Sequence, residues 1–199
     1  MKTTLEKIKE GQSLEDFIIS PENKIINKLF EDKHFKDLVS QGPILIIGEE
    51  GTGKTHILNA MHIHYSRRIR EEQIVHLDSV DLMNDIIEKI TSGSNDRLYD
   101  NVQLLLIDGM ERFIGKKLCQ DELAGIIPEF VKRGVLVVMT MDKKSTWEEM
   151  PESFMKLLSG GATIDIKPLE NLYKFKLEKK QAMEKESPVN KLKEVLDEE

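Results

Sequence analysis

Five short apolar runs punctuate the chain: Pro43 to Ile47, Ile74 to Leu77, Val102 to Ile107, Val135 to Met139 and Ala162 to Ile166. A run such as Pro43 to Ile47 suits a strand covered on both faces of a parallel sheet. Between the runs the period changes. After Pro21, Ile25, Ile26, Leu29, Phe30, Phe35 and Leu38 recur at helical spacing, with a break around His34 and a stop at Gln41-Gly42-Pro43. A helix is expected from Lys54 to about Arg68. Another starts at Ser79 as its cap, with Val80, Leu82, Met83, Ile86, Ile87 and Ile90 as its apolar face. Thr91 to Asp96 reads as a loop. A further helix spans roughly Gln120 to Arg133, with a turn or kink at Pro128. Thr146 to Leu158 reads as helix in two pieces around Pro151. Strands alternating with amphipathic helices predict an α/β fold, with a five-stranded parallel sheet between helices and right-handed crossovers.

The same pattern sets the expected boundaries. Residues 1–13 form a charged lead-in, 14–168 the α/β domain, and 169–199 a helical tail rich in lysine and glutamate. The tail carries a thin stripe of Leu169, Leu172, Phe175 and Leu177, and Ser187-Pro188 would start its last helix.

Charge narrows the function classes. Net charge is -7, which opposes strong autonomous binding to nucleic-acid backbones. Arg67, Arg68 and Arg70 are the densest basic cluster and read as a solvated helix end. The single cysteine, Cys119, fits a reducing cytosol. No stretch approaches the roughly 18 apolar residues of a membrane span, and the first dozen residues lack the apolar run of a secretory signal. A cytoplasmic protein with no membrane partner is expected.

Chemistry enters at the end of the first strand. Gly48-Glu49-Glu50-Gly51-Thr52-Gly53-Lys54-Thr55 matches the phosphate-binding P-loop, and it lies between a buried strand and a helix start. Gly48, Gly51 and Gly53 allow backbone angles that a Cβ would forbid, so amide N–H groups can turn inward around phosphates. The helix start adds its positive end. Lys54 should reach the β and γ phosphates, and Thr55 should ligate Mg²⁺. Leu104 to Asp108 runs up a strand into a carboxylate, so Asp108 is the second metal-shell residue. Mg²⁺ with ATP or ADP is the expected cofactor. The position after Asp108 is Gly109, where hydrolytic P-loop proteins often carry an acid. Glu111 is the nearest acid that could serve from the loop. His62 and His64 stand two apart on a helix and so point in different directions, which speaks against shared metal binding. Trp147 and Met150 read as helix anchors.

These motifs, in this order, resemble the AAA+ domain of the bacterial replication initiator DnaA family and its short relatives. The resemblance rests on Ile47 through Ala60 with His56 after Lys54-Thr55, on Leu105 through Gly115-Lys116, and on Leu14 through Asn23. It implies that Asn23 and His56 border the nucleotide and that Asp142, in Thr140-Met141-Asp142, is the sensor 1 acid. The departures are Gly109 and the lack of any arginine from Glu152 to Gly161, where the family carries its finger. The chain also stops before a full lid or a DNA-binding domain would fit. Gln12 to Phe17 loosely resembles a sliding-clamp-binding peptide. The expected function is therefore an ATP/ADP-binding accessory or regulatory protein of replication initiation, with weak or no hydrolysis. It would act through an initiator, helicase or clamp. An active loader-type ATPase is the alternative, and a P-loop small-molecule kinase is a more distant one.

Overall fold

The computed structural model describes residues 12–17, 19–31, 35–40, 42–94, 98–143 and 152–168. The readings for residues 1–11, for Trp147 and Met150, and for the tail lie outside the described residues. The chain divides into two compact units between Pro168 and Leu169, and every described residue lies in the first.

Strands β1 (Ile44–Gly48), β2 (Ile74–Asp78), β3 (Leu104–Asp108), β4 (Leu136–Asp142) and β5 (Ala162–Ile166) form one sheet in the order β2-β3-β4-β1-β5. All neighbours run parallel. The helices are α1 (Phe35–Ser40), α2 (Lys54–Tyr65), α3 (Ser79–Ser92), α4 (Lys117–Lys132) and α5 (Glu152–Ser159). Side chains alternate across a strand, which explains the continuous apolar runs. Ile44, Ile46, Leu104, Leu106, Leu136 and Val138 join α2 in one core. Leu45, Leu105, Ile107, Val137 and Met139 join α3, α4 and α5 in the other. Each such side chain contributes roughly 1.5–3 kcal/mol on burial.

Four local details differ from the expected pattern. Pro21–Phe30 is a 3-10 helix. Asn23, Ile26 and Leu29, three apart as suits a 3-10 helix, are buried together with Phe30, while Ile25 is 43% exposed. Asp78, not Ser79, caps α3. Its carboxylate accepts from Val80 N at 2.8 Å and Asp81 N at 2.9 Å, while Ser79 is the first helical residue and fully buried. Pro128 starts no turn: it lies inside α4, which continues to Lys132. Pro128 is exposed, on the side where a carbonyl that lost its partner can tilt to water. α2 ends at Tyr65, short of the expected Arg68, whose guanidinium donates to the His64 carbonyl at 2.8 Å and so satisfies the helix end.

A staple joins α3 to the end of α4. Tyr99 takes a left-handed backbone, φ 53, stacks on Phe130 and donates its hydroxyl to Asp85. Burial, then that carboxylate, pushes the phenol far above its ordinary range, so it stays a donor. Arg133 lies over the Phe130 ring and donates to the Tyr99 carbonyl at 3.3 Å.

Beyond β3 the chain turns sharply. Gly109 has φ 81, and the 3-10 turn Met110–Phe113 follows with Met110 and Phe113 buried. Ser79 Oγ donates to the Gly109 carbonyl at 2.7 Å, fastening this turn to α3. A side chain at 109 would be strained by the left-handed backbone at about 1–2 kcal/mol. Gly109→Ala should therefore lower the thermal melting temperature by several degrees. An unchanged melting curve would mean that the turn does not hold this conformation.

Candidate functional site

The carboxyl ends of β1, β3 and β4 bring the site together, as expected for an open parallel sheet. Gly48 ends β1, and a turn from Glu49 to Thr52 follows, closed by Thr52 N and Oγ1 donating to the Glu49 carbonyl at 3.3 and 2.9 Å. Gly48 is needed for space rather than for its backbone angle, since a Cβ there would lie 2.6 Å from Thr52 Oγ1. Gly51 and Gly53 do take positive φ, 79 and 96. Glu49, Glu50 and Gly51 are exposed along this turn. Lys54 folds its ammonium back onto the loop, donating to the carbonyls of Gly48 at 2.9 Å and Glu49 at 2.8 Å. The first N–H groups of α2 have no intrahelical acceptor, so the loop presents donors and a cation to one spot.

Facing them is a chain of oxygen atoms. Thr55 Oγ1 donates to Asp108 Oδ2 at 2.7 Å. Thr140 Oγ1 donates to Asp108 Oδ1 and accepts from Gly109 N at 2.9 Å. Asp108 thus ties α2, β3 and β4 together. Thr140, fully buried on β4, is the residue that sequence reasoning passed over. β4 runs three residues beyond the expected Met139, which puts Thr140 inside the strand, on the face that alternation assigns to Asp108.

Asp142 stands at the end of β4 in register with Gly48. The β4 side chain that touches Asp108 is that of Thr140, two residues before Asp142 on the same face. The Asp142 N–H donates to Glu111 Oε2 at 3.1 Å. Glu111 thus reaches the end of β4 from the loop after β3.

Two other expected residues serve the protein itself in this structure. The Asn23 amide pairs with the Lys167 backbone, donating to its carbonyl and accepting from its N–H, both at 3.0 Å. His56 Nε2 donates to the Ser13 carbonyl at 2.9 Å, and its ring meets Phe17 edge-on. Phe17 lies against Gly53, where a Cβ would come within 2.6 Å of its ring. Asn59 also holds this segment, donating to Gln12 at 2.6 Å. Leu14 and Phe17 pack on the α2-side core, so the residues that suggested a clamp-binding peptide are already engaged. His62 pairs with Glu71 at 2.8 Å and His64 packs on Phe30, so the two histidines do face different neighbours.

At the β4–β1–β5 edge, Lys143 Nζ donates to Asp165 at 2.9 Å, and Lys167 pairs with the same oxygen. These bonds, Lys167 first, hold the Asp165 carboxyl below its usual range. Asp165 in turn raises Lys143. The cluster is largely exposed, so it contributes little to stability.

The donor set fits a Mg·nucleotide. Among the described residues no group of three or more His, Cys, Asp or Glu could hold a metal. A cation held by Thr55 and Asp108 would complete its shell with phosphate oxygens and water, as Mg²⁺ does. No described helix is long and apolar enough to cross a membrane.

Comparison with known proteins agrees with this geometry. The sequence model of the bacterial DnaA ATPase domain matches residues 8–165. The chromosomal replication initiator DnaA of Kosmotoga olearia is 28% identical over 190 residues, covering 92% of this chain and 42% of that protein. The chain thus spans well under half of that relative. The AMPPCP-bound DnaA structure from Aquifex aeolicus superposes with a TM-score of 0.70 at 23% identity, over 89% of this chain and 56% of that one. The DnaC helicase loader has a TM-score of 0.61 at 12% identity, over 79% of this chain and 97% of that one. Sheet order, P-loop and the Asp108 strand agree with the family match, which leaves the kinase alternative without support: the chain belongs to the bacterial DnaA ATPase-domain family, of the AAA+ type.

Proposed function

We propose that this protein binds ATP and ADP with Mg²⁺ and works as a DnaA-like accessory or regulatory factor of replication initiation in the cytoplasm. It acts through contacts with replication proteins of the initiator, helicase or clamp kind. The observation that carries the reading is the Thr55–Asp108–Thr140 chain opposite Lys54, set in a DnaA-family domain. In the AAA+ reading Lys54 and the loop amides hold phosphates, Thr55 and Asp108 hold the metal, and Thr140 with Asp142 senses the γ-phosphate end.

Binding and turnover draw on different residues. The phosphate-binding residues are all present. The arginine that would neutralise transition-state charge is absent from Glu152 to Gly161, and Lys156 on α5 is exposed and paired with Glu152 at 2.7 Å. Such an arginine is worth roughly 10³–10⁵ in rate. The isolated chain is expected to hydrolyse bound ATP on the order of 10⁻³ per second or slower. Single-turnover measurement checks this, and turnover of several per second without a partner would contradict it.

Lys54→Ala should abolish Mg·ATP binding while the fold persists, because the ammonium contacts only loop carbonyls. Titration with a fluorescent ATP analogue alongside circular dichroism reads both. Full affinity in a folded variant would remove the phosphate site from consideration.

Duplex DNA should bind weakly at about 150 mM salt, since a net charge of -7 leaves little counterion release to drive association. Sub-micromolar affinity for an origin-like duplex would count against action through protein contacts.

A further inference from the structure

Gly109 stands where hydrolytic relatives place an acid, yet the space beside it is filled by a carboxylate. A Cβ built on Gly109 would lie 3.2 Å from Glu111 Oε1. The left-handed backbone at Gly109, φ 81, and the following 3-10 turn curl the chain so that residue 111 returns over residue 109. The other oxygen, Oε2, accepts the Asp142 N–H at 3.1 Å. Asp142 is the register partner of Gly48, the first residue of the phosphate loop. The carboxylate is therefore held between the Asp108 end of β3 and the loop end of β1, across the end of β4. It is half-buried, so water still reaches it.

We infer that Glu111 supplies, from two residues downstream, the general base that position 109 lacks, so that whatever hydrolysis this site performs runs through Glu111. This rests on the nucleotide-binding reading above. In the step, a water oxygen bonds to the γ-phosphorus while the bond from that phosphorus to the β–γ bridging oxygen breaks. The water proton passes to the Glu111 carboxylate. ADP and inorganic phosphate leave, and the proton is released to solvent. The Asp142 N–H on Oε2 fixes the carboxylate and leaves Oε1 to take the proton. In this reading Asp108 is not the base, because its carboxylate is given to the metal and to the Thr55 and Thr140 hydroxyls.

A plain structural clasp between the turn and β4 would use the same hydrogen bond, so the test separates the two roles. Glu111→Gln keeps a carbonyl oxygen for the Asp142 N–H but cannot take a proton at neutral pH. Glu111→Ala loses both. The full-length chain and both variants are loaded with Mg·ATP. Three quantities are read: affinity for a fluorescent ATP analogue, single-turnover hydrolysis, and hydrogen exchange at the Asp142 amide.

The expected result for Glu111→Gln is affinity within about threefold of the parent, unchanged protection of the Asp142 amide, and hydrolysis lower by roughly 10²-fold or more. Glu111→Ala should lose the same rate and also the protection. Parent-like hydrolysis in Glu111→Gln overturns the inference and leaves the clasp. So does a parent chain that binds ATP and never hydrolyses it. A parent chain that binds no ATP fails the nucleotide reading itself, an outcome visible in the affinity arm alone.

Discussion

Asp108 is the group on which the rest of the site depends. Its two oxygens take hydroxyls from Thr55 at the start of α2 and Thr140 on β4. That pairing exists only because the sheet is parallel with β4 between β1 and β3. The chain leaves β1, crosses beneath the sheet through α2 to the β2 edge, and returns by β3 and β4. An antiparallel arrangement would carry the carboxylate to the other end. The sheet order is thus the condition under which three segments distant in sequence share one carboxylate. The two apolar faces hold that order in place.

Much of this was legible because two strong signals coincided. The inner strands β1, β3 and β4 stood out as apolar runs, since a strand buried on both faces admits almost nothing else, while the edge strands β2 and β5 are part-exposed and less uniform. The phosphate loop and the Asp108 strand were legible because each pairs a chemical motif with a strand end. What escaped the sequence has physical reasons. The 3-10 helix at Pro21–Phe30 carries apolar residues at spacings that also suit an α-helix, so the pattern alone does not tell them apart. Asp78 and Ser79 are both good caps. The choice fell to Asp78 because Ser79 is drawn to the Gly109 carbonyl, a partner thirty residues away that local pattern cannot reveal. The Tyr99–Asp85–Phe130–Arg133 staple likewise joins segments with no common period. Thr140 was passed over because the apolar run ends at Met139, whereas β4 continues to Asp142.

The N-terminal segment shows how local motif and tertiary role can diverge. Gln12 to Phe17 has the look of a peptide made for a partner. Here it wraps the start of α2, with His56, Asn59 and Gly53 as its contacts. Those contacts lie within one turn of Lys54 and Thr55. The phosphate loop and the N-terminal segment therefore share one rigid helix start, and a change in one is felt by the other through packing rather than through a flexible linker.

Gly109 and Glu111 are best understood together. An acid directly after Asp108 would need a backbone compatible with a side chain, whereas this turn uses the left-handed region that glycine enters freely. That conformation lets Ser79 reach the Gly109 carbonyl and Thr140 reach its N–H, so the turn is pinned from α3 and from β4. Pinned in this way, it carries residue 111 back over the strand ends, where its carboxylate meets the Asp142 N–H. The departure at 109 and the placement of Glu111 are then one structural event: the glycine that removes an acid from one position creates the turn that delivers another to the same space.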